Sequence, residues 1–174
     1  LFKYLKILML SGLVLFLPAI IIIYAYVGHG NFTSGGFVAG YFSDTYAIIL
    51  LLMFIFGIAK AAIYPLHSWL PAAMVASYPV SALLHAAVVV KTGLFCIYKV
   101  LIYVFGLAYL QTLFANYNWL VLLPIITIIY SSIKSIRYTQ VQVILAYSTI
   151  NQLSIALMSA FLLSQKGINA AIMH

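Results

Sequence analysis

From Ile7 to Val27 the chain is apolar and carries no charged side chain. A helix needs about 20 such residues to cross the hydrocarbon core of a bilayer, and comparable runs recur along the sequence. In water they would require a charged skin, which this chain lacks. Only 5% of its 174 residues are charged, 67% are apolar, and the mean hydropathy is +1.20. A soluble domain carries about 25% charge, and disorder requires low hydrophobicity. The expected fold is therefore an all-α, polytopic transmembrane helix bundle, with the lipid bilayer as its first partner. Eight Lys and Arg residues against one acid, Asp44, give a net charge of +7. Several of these lysines lie inside apolar runs and form no basic cluster, so nucleic acid is not expected as a partner. Cys96, the single cysteine, excludes an internal disulfide framework and any CxxC site.

Turn and proline signals divide the chain into spans of about 7–27, 45–76, 80–99, 118–136 and 140–163, with another helix starting from 168. Pro18 marks a kink in the first. A glycine-rich linker, Gly28–Ser43, follows and reads as too polar and flexible to span. Ser43-Asp44 reads as a helix N-cap, Pro65 and Pro71 interrupt the second span, and Pro79 opens the third. Val100–Phe114 is apolar but only about 15 residues long, short for a crossing. Laid at the interface, it puts Lys3, Lys6, Lys134 and Arg137 on one side against Lys99 and Lys166. That favours five crossings plus the start of a sixth, with the N-terminus cytoplasmic. Lys3, Lys6 and the run after them imitate a signal peptide, but no small-x-small cleavage site follows. The chain starts at Leu1 and stops at His174 inside a new apolar stretch, so a single membrane domain that is an internal piece of a longer polypeptide is expected.

Some polar residues sit where they are costly. A lysine at the centre of a membrane helix costs about 2.5–3.5 kcal/mol on insertion scales. Lys60 lies five residues before Pro65, and two readings are open for it. Its ammonium snorkels to an interface, or it stands beside a broken helix lining a hydrated cavity, where it can gain and lose a proton. Lys91 is about twelve residues into its expected helix, where snorkelling is hard. His85 lies about 120° from Lys91 and about 9 Å from it along that helix. It is either a relay or a buried histidine bonded to a carbonyl. Gln142, Ser148, Thr149, Gln152 and Ser159 share one face of the last full helix, as interhelical hydrogen-bond glue or as a polar path. Neither haem ligation nor serine hydrolysis finds its constellation, and no cofactor-binding or metal site is expected.

The segment GIAKAAIYPLHSWLPAAMVASYPVSALLHAAVVVKTGLF, Gly57–Phe95, closely resembles the antiporter-like membrane subunits shared by respiratory complex I (NADH:quinone oxidoreductase) and the Mrp-type cation/proton antiporters. Lys60, Pro65, Leu66, His67, Trp69, Pro71, Met74, Pro79, Ser81 and His85 fall in matching places. Leu145-Ala-Tyr-Ser-Thr149 followed by Asn151-Gln152 resembles the family's LAYSTxSQ, and the terminal AAIMH is similar to the start of a further, histidine-bearing helix. The resemblance implies an inverted-repeat transporter fold with a broken helix at Lys60–Pro65. It also implies proton passage through half-channels by Lys60, Lys91 and His85, and other membrane subunits as partners. It places the chain in a bacterial or mitochondrial inner membrane. No redox centre belongs to the chain; in a complex I setting, electron transfer lies in partner subunits. Gln140-Val-Gln142-Val stands where the family commonly has DxKR. The family's glutamate partner for Lys60 would lie upstream of Leu1. Proton or cation/proton translocation is the expected function, and an inactive structural remnant of such a subunit is the alternative.

Overall fold

The computed structural model describes residues 2–28, 30, 32, 35–73 and 89–174, with side chains from Leu5 onward. Helices α1 (Phe2–Ser11) and α2 (Leu17–Val27) are joined by a π-helical turn, Gly12–Phe16, into one rod. Pro18 falls in the first turn of α2, where the looser π turn before it absorbs the missing N–H. Helix α3 covers Asp44–Gly57, α4 Trp69–Ala72 and α5 Val89–Lys99, the last continued by a π-helical turn over Val100–Phe105. Then come α6 (Leu107–Leu113), α7 (Leu122–Arg137), α8 (Val141–Phe161) and α9 (Gln165–Met173).

Three of the described helices are long and apolar enough to cross a membrane: Leu5–Val27, Trp119–Arg137 and Val141–Phe161. A fourth candidate is the bent pair Val89–Phe105 and Leu107–Leu113, whose halves meet at 82°. The burial pattern is that of a membrane bundle. On α7, Leu122, Ile126, Ile129, Ile133 and Ile136 form an exposed stripe at three- and four-residue spacing, while Thr127 and Ser131 are buried. Apolar side chains face outward and hydroxyls face the neighbouring helix, as expected where lipid is the solvent.

Helices α7 and α8 form an antiparallel hairpin across a three-residue connection (138–140). Its polar clasp is Asn151, whose Nδ2 donates to Ser132 Oγ at 3.1 Å and whose Oδ1 accepts from Ser131 Oγ at 3.2 Å. Between α7 and α8 the glue role thus falls to a residue outside the stripe, while Gln152 of the stripe bonds His174 at the end of α9. Thr149 and Ser159 bond carbonyls of their own helix, Ala146 and Ile155. Replacing Asn151 with leucine is expected to cost about 1–2 kcal/mol, two interhelical bonds at membrane magnitudes. The lowered midpoint should be visible in thermal unfolding in detergent, and a midpoint equal to wild type would contradict the clasp.

The bend at Gly106 sets the other end of the bundle. Gly106 has φ +79 and ψ 137, and a Cβ there would overlap the Gly35 carbonyl. The second half of the glycine-rich linker, from Gly35, is seated on this bend. Phe37 N and Val38 N both donate to Val104 O, at 3.0 and 3.1 Å, and Val38 is fully buried. The expectation of a flexible connector is corrected for this half of the linker. The reason is that the π-helical turn leaves a carbonyl to be satisfied, and glycines allow two backbones to meet. Gly106→Ala is expected to destabilise the fold by about 1–3 kcal/mol through strain and overpacking, read as a lowered unfolding midpoint.

Candidate functional site

Two places gather the costly polar groups. The first is the interruption after α3. That helix ends at Gly57, whose missing Cβ would lie 2.8 Å from Phe16 N of the π-helical turn. The chain then leaves helical geometry at Ile58 (ψ 59), makes a 3-10 turn over Ala59–Ala61, and passes Ala62 at φ 54, ψ 39. A second 3-10 turn, Leu66–Ser68, leads into α4. The break therefore begins well before Pro65, which lies inside it and does not start it. A proline perturbs the carbonyl four residues earlier, which is too short a reach to end the helix at Gly57.

Lys60 sits in the middle of the first 3-10 turn with its side chain exposed. Backbone groups freed by the break find side-chain partners. Trp69 Nε1 donates to Ala59 O at 2.8 Å, and Tyr64 N donates to Thr127 Oγ1 at 3.1 Å. His67 is buried, stacked on Tyr64 (ring centroids 5.5 Å apart) and edge-on to Tyr130 of α7 (4.7 Å). Thr127 and this aromatic group tie the break to α7.

The second place is a cavity of about 960 Å³ between α5, α8 and α9. Lys91 lines it from α5, Thr149 and Gln152 from α8, and His174 from the end of α9. His174 Nε2 and Gln152 Oε1 are 3.0 Å apart. Tyr98 Oη donates to Ala171 O at 3.3 Å, linking α5 to α9. At the far end Lys99 also lines the cavity, its Nζ 5.3 and 5.2 Å from the centroids of Phe32 and Phe95. Such ring faces attract a cation but do not neutralise it. The chain's single carboxylate side chain, Asp44, opens α3 and is not among the lining residues. Among the described residues the lining thus combines cationic and hydrogen-bonding groups from three helices with apolar side chains.

Of the residues singled out in the sequence, the structure brings Lys91, Thr149 and Gln152 into one cavity. Lys60 and Pro65 lie in the break, outside that lining, and Gln142 does not line it either. His85 lies outside the described residues, as does Pro79. Sequence reasoning did not single out His174, Tyr98 or Trp69 as site residues. For His174 the signal available was the terminal AAIMH, and its contact with Gln152 depends on α9 folding back over α8.

The fold and these two places define a polytopic membrane protein with polar groups gathered inside a helix bundle. Residues 2–174 match the family model for the transmembrane region of the NADH:quinone oxidoreductase/Mrp antiporter family. The chain belongs to that family. The A subunit of the Na(+)/H(+) antiporter of Bacillus subtilis is 35% identical over 130 residues, covering 74% of this chain and 14% of the relative. The chloroplastic NAD(P)H-quinone oxidoreductase subunit 5 of Lemna minor is 35% identical over 123 residues, covering 71% of this chain and 15% of the relative. The chain therefore spans only a small part of the length of these relatives. One protein of the Mrp complex from Dietzia sp. DQ12-45-1b has the same fold, with a TM-score of 0.81 over 99% of this chain and 18% of that one, at 24% identity.

Proposed function

We propose that the chain forms part of a proton path in an antiporter-like membrane subunit. Lys91 is the group that changes charge within the cavity, and Lys60 is a second such group at the helix break. The observation that carries this reading is the cavity itself. An ammonium opens into it beside a threonine hydroxyl and a hydrogen-bonded Gln152–His174 pair, with no carboxylate from the chain to hold the charge there. Amides and hydroxyls order water but cannot change charge. Lysine and histidine can do so. Ionisable residues within membrane segments mark ion and proton pathways more often than they mark architecture.

The relatives are named as subunits, so further membrane subunits and the surrounding bilayer are the partners of the whole protein. Its membrane is a bacterial or mitochondrial inner membrane, and the transported ion is the proton, with or without a counter-moving cation. His85 and Gln142 are further candidate members of the path. Pro65 keeps the broken segment from refolding into a helix.

The test is proton flux in proteoliposomes containing the full-length protein with Gln152→Leu. Removing the acceptor for His174 is expected to slow flux about three- to tenfold, the loss of a hydrogen bond worth about 0.5–1.5 kcal/mol. Flux equal to wild type would count against the cavity as the path. An inactive remnant would show no flux in either protein.

A further inference from the structure

The two lysines do not share the cavity, and helix α5 stands between them. Gly93 is two residues beyond Lys91, about 200° around the helix, so Lys91 faces the cavity while Gly93 faces the Lys60 turn. The fit there is close. A Cβ on Gly93 would come within 2.7 Å of Ala61 N, 2.7 Å of the Lys60 carbonyl carbon and 2.9 Å of Lys60 Cβ. Two of those three atoms are backbone of a 3-10 turn, which cannot step aside as the end of a side chain would. From the other side, fully buried Trp69 donates its N–H to Ala59 O at 2.8 Å, the same carbonyl that accepts from Ala62 N at 3.0 Å. The Trp69 ring belongs to a buried cluster with Ala62, Val90, Tyr147 and Ile150. Residues adjoining Lys91 on α5 and Thr149 on α8 therefore share one buried cluster with the indole that pins the Lys60 turn.

We propose that Gly93 and Trp69 are positioning residues for Lys60: together they fix the turn that carries it against the helix that carries Lys91. The proposal deepens the proton-path reading and rests on it for its functional consequence, but the contact itself can be read without transport. A displacement of about 1 Å at a group that must pass a proton can cost on the order of a hundredfold in rate. The bare face of Gly93 is where an added methyl would cause such a displacement.

The test uses the full-length protein in proteoliposomes with Gly93→Ala and Trp69→Phe. Gly106→Ala serves as a control that strains the bundle at its other end. Three quantities are read for each: acylation of Lys60 by a membrane-permeant amine reagent, quantified by mass spectrometry; proton flux; and the unfolding midpoint. Gly93→Ala and Trp69→Phe are expected to raise Lys60 acylation several-fold and to lower flux by about tenfold or more. Gly106→Ala is expected to lower the midpoint and leave Lys60 acylation at the wild-type rate. If Gly93→Ala does not fold, Trp69→Phe carries the test, since it keeps an aromatic ring and removes only the N–H and part of the indole. Unchanged Lys60 acylation in the folded variants would overturn the proposal, as would an equal rise in Gly106→Ala. Normal flux in Lys60→Ala would instead remove the proton-path role of Lys60, while the acylation result would still decide whether the contact positions it.

Discussion

Replacing Lys60 with alanine in the full-length protein is expected to abolish coupled proton translocation while the bundle still assembles. The turn is held by backbone bonds, Ala61 N to Ile58 O and Ala62 N to Ala59 O, by the Trp69 N–H and by contact with Gly93. The ammonium takes part in none of these. The side chain is exposed and its neighbours Ala59, Ala61 and Ala62 are already alanines, so truncation opens no cavity and strains no backbone. Changes at such positions usually stay within about 0.5 kcal/mol. The flux should fall on the order of a hundredfold or more, the scale on which positioned acid–base groups contribute. Dye-reported proton uptake in proteoliposomes, run beside a thermal melt, measures both halves of the prediction. Undiminished uptake with a normal melt would remove Lys60 from the path.

Lys91→Arg is expected to be nearly as damaging as Lys91→Ala, and the comparison between them separates charge from proton transfer. Arginine keeps the positive charge and does not release its proton in proteins. The cavity, at about 960 Å³, has room for the larger head group, so crowding does not decide the result. A lysine that only holds helices together by its charge would be replaced well by arginine. A lysine that must become neutral would not. Loss of flux in both variants supports proton transfer, and wild-type flux in Lys91→Arg makes the residue structural.

Much of this was legible in the sequence. The long uncharged runs dictate an all-α membrane fold, because only satisfied backbones cross lipid. The facial spacing of Thr149 and Gln152, 60° apart on α8, puts both on the side that meets Lys91. What was not legible depends on contacts between distant segments. The bend at Gly106 lies within an apolar run and is set by the Gly35–Gly36 backbone against it. Asn151 sits about 100° from Gln152 on α8, and only the packing of α7 makes it the clasp. The break starts at Ile58, next to the seat of Gly57 on Phe16, a contact with no signature in the local sequence. Pro65 was the visible feature, but it lies downstream of the point where helical geometry ends. His174 reaches Gln152 because α9 turns back at Leu163, which takes φ +54 without being glycine.

If Lys91 changes charge as protons move, its reactivity must follow the proton gradient. Acylating reagents consume only a neutral amine, so the acylation rate of Lys91 reports how often it is deprotonated. The decisive measurement is that rate in sealed proteoliposomes of the full-length protein, with the reagent-side pH held fixed, with and without an imposed proton gradient. The expected rate changes with the gradient, in the opposite sense when the gradient is reversed. A rate indifferent to the gradient, in vesicles shown to translocate protons, would contradict it.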